Sequence, residues 1–117
     1  MSVAIFQHIN LEYLESMTDG DAEMMHTMLE MLIVEIPEEM DKMKQCAVAK
    51  DWNEVFQISH KMKTTLSYVG NVKMIDLNKE VEHNARHSEH LDTLTSMVEH
   101  LCAMSLPVIE ELQQANS

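Results

Sequence analysis

The chain has 117 residues, a formal net charge of −12 and 45% hydrophobic residues, enough for one core and one domain over 1–117. That acid excess would repel a nucleic-acid backbone, and no apolar run approaches the roughly 18 residues of a membrane span. Gly20 and Gly70 are the sole glycines, so there is no Gly-rich phosphate loop, which excludes nucleotide-binding modules and an autonomous kinase.

Taken in chain order, residues 1–8 lack a basic region followed by a long apolar stretch, so no signal peptide is expected. Few glycines and prolines among stretches rich in Met, Leu, Glu and Lys predict an all-α chain. The helices are expected over 10–17, 21–49, 52–69, 72–87 and 89–115. Asn10 is placed to cap the first, and Thr18 to Asp21 reads as a turn leading into the second. The second helix carries Met24, Met28, Met31, Leu32, Ile36, Met40, Met43 and Ala47 as its apolar stripe, with a bend at Pro37. Lys50 and Asp51 end it and cap the third helix, which Gly70 and Asn71 stop. The fourth buries Met74 or Ile75, Leu77, Val81 and Ala85. The fifth buries Leu91, Leu94, Met97 or Val98, Leu101, Met104, Val108 and Leu112, with a kink at Pro107. Short turns force antiparallel neighbours, so an antiparallel up-down four-helix bundle with a short N-terminal capping helix is expected. Cys46 and Cys102 fall at helical, partly apolar positions and read as reduced thiols in a cytoplasmic protein.

The third helix carries the chemistry. At about 100° per residue, Val55, Ile58, Met62, Leu66 and Val69 fall within roughly 80° of one another. His60 points about 150° away from that stripe, and Gln57, Lys63, Thr64 and Ser67 lie within about 60° of it. An exposed imidazole with an ammonium one turn along suits reversible phosphorylation. The imidazole attacks a phosphoryl group, and the ammonium balances the charge that arrives.

His60, Lys63 and Gly70 have the spacing of the phosphorylation motif of histidine-containing phosphotransfer (HPt) domains, which this stretch resembles. Lys61 fits the basic residue that many members carry after the histidine, and Thr64 stands where the family usually has glycine. The five-helix pattern is similar to the family's bundle, so the resemblance covers nearly the whole chain. It implies a phosphocarrier without kinase activity of its own. His60 would take phosphate, on the ring nitrogen farther from the backbone, from the aspartyl phosphate of a response-regulator receiver domain. It would then pass it to another receiver.

Receivers or a hybrid sensor histidine kinase would be the partners, without nucleic acid or membrane, and a monomer is expected. The resemblance implies no cofactor in this chain, with Mg2+ supplied by the receiver. Lys63 would balance phosphoryl oxygens, and Lys61 would steer the partner's acidic site. Gly70 would permit close packing near the site. Arg86, which some members match with a basic residue 26 positions after the histidine, would face the site. Glu82 stands where the family often has Gln and would either weaken the phosphohistidine or hold Arg86.

Two other readings remain: a receiver-binding adaptor that is never phosphorylated, and a metal-binding or structural bundle. The metal reading rests on His83 and His87, one helical turn apart, with His90 near by. Solvated surface histidines are the simpler account of these residues. The methionines read as adaptable core packing, with Met17 or Met24 a candidate for the docking groove. The acidic run Glu35, Glu38, Glu39 and Asp41 reads as a solvated face.

Overall fold

The computed structural model describes residues 6–117, so what the sequence suggests for residues 1–5 lies outside the described part. Five helices follow in order: α1 Glu12–Thr18, α2 Ala22–Val48, α3 Trp52–Val69, α4 Val72–His87 and α5 Leu91–Ala115. The four long helices form an all-α antiparallel bundle: α2 and α4 each pack on both α3 and α5, and α1 caps the α2–α3 side.

Local chemistry sets the helix boundaries. Asp21, Asp51 and Asn71 each accept the backbone N–H three residues on, from Met24 at 3.1 Å, Glu54 at 3.3 Å and Met74 at 3.1 Å. Each such cap is worth about 1 kcal/mol. Asn10 accepts the Glu12 N–H at 3.0 Å, which serves the first turn of α1. Gly70 ends α3 at φ 72°. A Cβ there would run into the Asn10 carbonyl oxygen, because the Asn10 N–H donates to the Val69 carbonyl at 2.8 Å. Asn71 Nδ2 also donates to the His8 carbonyl at 2.9 Å, so two bonds tie the N-terminal segment to the α3–α4 turn. Ser88 and His90 hold left-handed φ values of 53° and 51°, which delays the start of α5 to Leu91.

The core runs through all five helices and contains Leu14, Leu32, Ile36, Met43, Met62, Leu66, Met74, Leu94, Leu101 and Leu112. The apolar stripe of α2 differs from the expected one at its start. Leu29 is buried, whereas Met24 and Met31 are about half exposed, at 50% and 47%. They lie roughly 140° and 160° around the axis from Leu29, so both cannot join the stripe that Leu32, Ile36 and Met40 continue. Pro37 and Pro107 each sit within a helix that continues past them. Cys46 and Cys102 are free thiols, and burial is the main cause pushing both towards the protonated form. Among the described residues no helix is long and apolar enough to cross a membrane.

Candidate functional site

Midway along α3, His60 projects from the bundle with 63% of its side chain exposed. Its Nδ1 lies 2.7 Å from Glu82 Oε2 on α4. The other carboxylate oxygen, Glu82 Oε1, lies 3.5 Å from Lys63 Nζ, so one carboxylate bridges the histidine and the lysine. Glu82 is only 16% exposed. Burial pushes its carboxyl up, but the bonds and charges of His60 and Lys63 outweigh burial and hold it below the usual value. The His60 ring also stacks on Phe56, with centroids 5.7 Å apart. Edge and face are thereby both fixed, and among the described residues Nε2 is the ring nitrogen without a bonded partner.

A polar lock directly beneath the site holds this arrangement. Ser59, fully buried, shares its hydroxyl between the Asn78 carbonyl at 3.0 Å and Asn78 Oδ1 at 2.7 Å. Asn78 Nδ2 in turn donates to the Ser59 carbonyl at 3.0 Å. Asn78 sits one helical turn before Glu82 and Ser59 adjoins His60, so the lock sets the α3–α4 register that brings Glu82 to Nδ1. Sequence reasoning missed both residues. One signal was available: Ser59 lies only about 60° from the middle of the α3 apolar stripe, too close to the core for a solvated serine.

The structure brings together part of the expected set. Gln57, Thr64 and Lys63 are exposed on the His60 face, and Ser67 is half-buried, donating to the Thr64 carbonyl at 2.6 Å. Lys61 instead turns to the α2–α3 seam, where Nζ meets Glu39 Oε1 at 3.0 Å. That bond and the Glu39 charge raise its affinity for the proton. Residue 61 lies about 100° round the helix from His60, which is why the two side chains part.

Glu82 does not hold Arg86. The guanidinium sits over the Phe56 ring instead, 5.8 Å from its centroid, on the ring that also stacks on His60. Gly70 supports the N-terminal segment at the end of α3, ten residues from His60, rather than packing beside the histidine. His83 and His87 lie against each other, ring centroids 4.5 Å apart, and His83 Nε2 is 3.2 Å from Glu89. Among the described residues, no group of three or more His, Cys, Asp or Glu side chains could hold a metal ion.

A helical bundle that displays one oriented, solvent-facing imidazole beside an ammonium has the form of a phosphocarrier. The family model described as Hpt domain matches residues 27–115. The chain therefore belongs to the Hpt domain family, the phosphotransfer carriers of His-Asp phosphorelays, whose members work with response-regulator receiver domains and are not autonomous kinases. No match to a curated protein or to a solved structure accompanies it.

Proposed function

We propose that residues 1–117 act as one monomeric phosphotransfer domain. In this reading His60 accepts a phosphoryl group from the aspartyl phosphate of one receiver and delivers it to another. The observation that carries it is the bridging carboxylate: Glu82 occupies His60 Nδ1 at 2.7 Å on a ring that is otherwise exposed, so Nε2 is the nitrogen left for the phosphoryl group. An aspartyl phosphate is an activated mixed anhydride, so in-line positioning and charge balance suffice for transfer. Lys63, 45% exposed, is placed to move from Glu82 to the incoming phosphoryl oxygens.

The receiver would supply Mg2+ with its own aspartate pocket, and this chain would contribute no cofactor. Docking would use the side of the bundle where α1 meets α2 and α3. Tyr13, Met17, Met24 and Met31 are each about half exposed there, and Tyr13 stacks on Tyr68 at 5.8 Å. Adaptable methionines beside an aromatic pair suit repeated, short-lived contact with more than one partner.

The test is incubation with a phosphorylated receiver and labelled phosphate. The expected product is an acid-labile, base-stable adduct on the chain that disappears in His60→Gln. Binding without transfer would replace this reading with that of a non-phosphorylated adaptor.

A further inference from the structure

Lys61 and Lys63 are the lysines of α3, and they flank His60 on either side of its face. Both are already held by a carboxylate from a neighbouring helix: Lys63 by Glu82 of α4 at 3.5 Å, and Lys61 by Glu39 of α2 at 3.0 Å. Resting on the reading that receivers approach His60, we propose that Glu39 is a specificity-determining residue of receiver docking. By latching Lys61 into the α2–α3 seam, it withholds from an approaching receiver a cation that stands next to the histidine.

The latch is one-sided. Glu39 does not belong to the solvated acidic face expected of α2. It lies about 60° round the axis from Ile36, and its side chain is only 8% exposed. A carboxylate so buried is costly unless it is paired. Its cations are Lys61 and, at 3.8 Å, Lys42 one turn on in α2. The Lys61 side chain is 61% exposed, so water could solvate its ammonium. Swinging Lys61 out towards a partner would therefore cost Glu39 more than it would cost the lysine. Glu35 and Glu38 add their charges to the hold on Lys61.

The latch sits where docking would feel it. Lys61, Thr65 and Tyr68 line one face of α3 and meet, in turn, Glu39, Glu35 and Tyr13. Lys61 thus begins a row that leads from beside His60 to the aromatic pair on the docking side. A receiver pocket that binds Mg2+ does so through oxygen ligands, chiefly carboxylates, and the chain it approaches carries a net charge of −12. Two acidic surfaces meet slowly unless cations near the contact offset the repulsion. With Lys63 serving the phosphoryl oxygens and Lys61 bound to Glu39, an acidic rim finds little to attract it. Choice among receivers then falls to how well they cover Tyr13 and the exposed methionines.

Association of the full chain with an unphosphorylated receiver domain is followed by stopped flow at about 0.01 M and about 1 M salt, where charges are felt over roughly 30 Å and roughly 3 Å. At low salt E39Q should associate on the order of threefold faster than wild type, and the gain should vanish at high salt. E39Q/K61Q should lose the gain. E38Q removes an exposed neighbouring charge without freeing Lys61, so it should gain clearly less. Equal rates for E39Q and wild type, an equal gain in E38Q, or a gain that survives in E39Q/K61Q would each overturn the latch while leaving His60 as acceptor. No association by any of these chains, or label from a phosphorylated receiver that persists in H60Q, would remove the underlying reading, and the proposal with it. A second measurement needs no variant. Under acetic anhydride, read by mass spectrometry, Lys61 of the wild type should acetylate more slowly than the exposed Lys50, and equal rates overturn the proposal.

Discussion

Ser59 and Asn78 exchange hydrogen bonds in both directions across the α3–α4 seam, Oγ to Oδ1 at 2.7 Å and Nδ2 to carbonyl at 3.0 Å. Both are buried, so neither can trade its partner for water. A buried reciprocal pair tolerates one register, because sliding α4 by a residue would strand polar atoms on both helices. That register puts Glu82 against His60. The candidate site is therefore specified from below, by a polar contact in the core, as well as by the exposed residues that form it.

Asn78→Ala should cost roughly 2 kcal/mol, because it leaves the Ser59 hydroxyl buried without its shorter acceptor and its carbonyl without Nδ2. Urea unfolding at unchanged slope would measure this as a lowered midpoint. Phosphoryl uptake from a receiver should fall beyond what the unfolded fraction explains, since Glu82 is no longer held in register. A variant with wild-type stability would show that the lock carries no weight.

What could be read in the sequence, and what could not, follows the same division between surface and seam. The spacing of His60, Lys63 and Gly70 is visible because it runs along one helix and its C-cap. The bundle is visible because stripes such as Val55, Ile58, Met62, Leu66 and Val69 repeat with helical period. Glu82 with His60, Lys61 with Glu39 and Arg86 with Phe56 each join two helices, and periodicity along one helix does not reveal how its neighbour is registered. The methionines of α2 misled for another reason. Met24, Met28 and Met31 form a helical stripe of their own, and hydrophobicity alone does not say which of two adjacent stripes is covered.

Gly70→Ala should destabilise by at least about 1–2 kcal/mol, since a Cβ at φ 72° is strained and also meets the Asn10 carbonyl. Gly20 is a built-in comparison, with φ 77° and open space where its Cβ would be, so Gly20→Ala should cost the strain alone. Thermal melts should rank the two in that order. Amide exchange at Asn10, whose N–H bonds to Val69, should quicken in Gly70→Ala and stay slow in Gly20→Ala.

Acid should weaken the α3–α4 seam through Glu82. Its carboxyl is pushed up by burial but pulled further down by His60 and Lys63, so the folded value lies below the unfolded one. The stability this contributes is present above the unfolded value and lost as pH falls through the folded one. E82Q should therefore be less stable than wild type by on the order of 1 kcal/mol above about pH 5, and the gap should close at lower pH. A gap that widens on acidification would contradict the pairing.

Lys63→Gln removes the ammonium while keeping a polar side chain of similar reach. Uptake from a phosphorylated receiver should slow on the order of tenfold, the equivalent of about 1.4 kcal/mol in the barrier. Receiver affinity measured without phosphate should move little, because Lys63 is paired with Glu82 before phosphate arrives. Loss of binding and transfer in equal measure would recast Lys63 as a docking residue.

Thr64 borders the approach to His60. It is exposed on the same face, one turn from the histidine, and its β-branch is held in a helix that Ser67 ties back at the Thr64 carbonyl. In the proposed reading, a receiver bringing its aspartate in line with Nε2 approaches past this side chain, so Thr64 should favour receivers whose rim leaves room for it. Thr64→Gly opens the approach at a helix cost of about 1 kcal/mol. It should raise transfer for receivers that are poor donors to the wild type and change the good ones little, which compresses the spread of rates across a panel. Rates that all fall together would trace to lost helix stability, and rates that all stay fixed would remove Thr64 from partner choice.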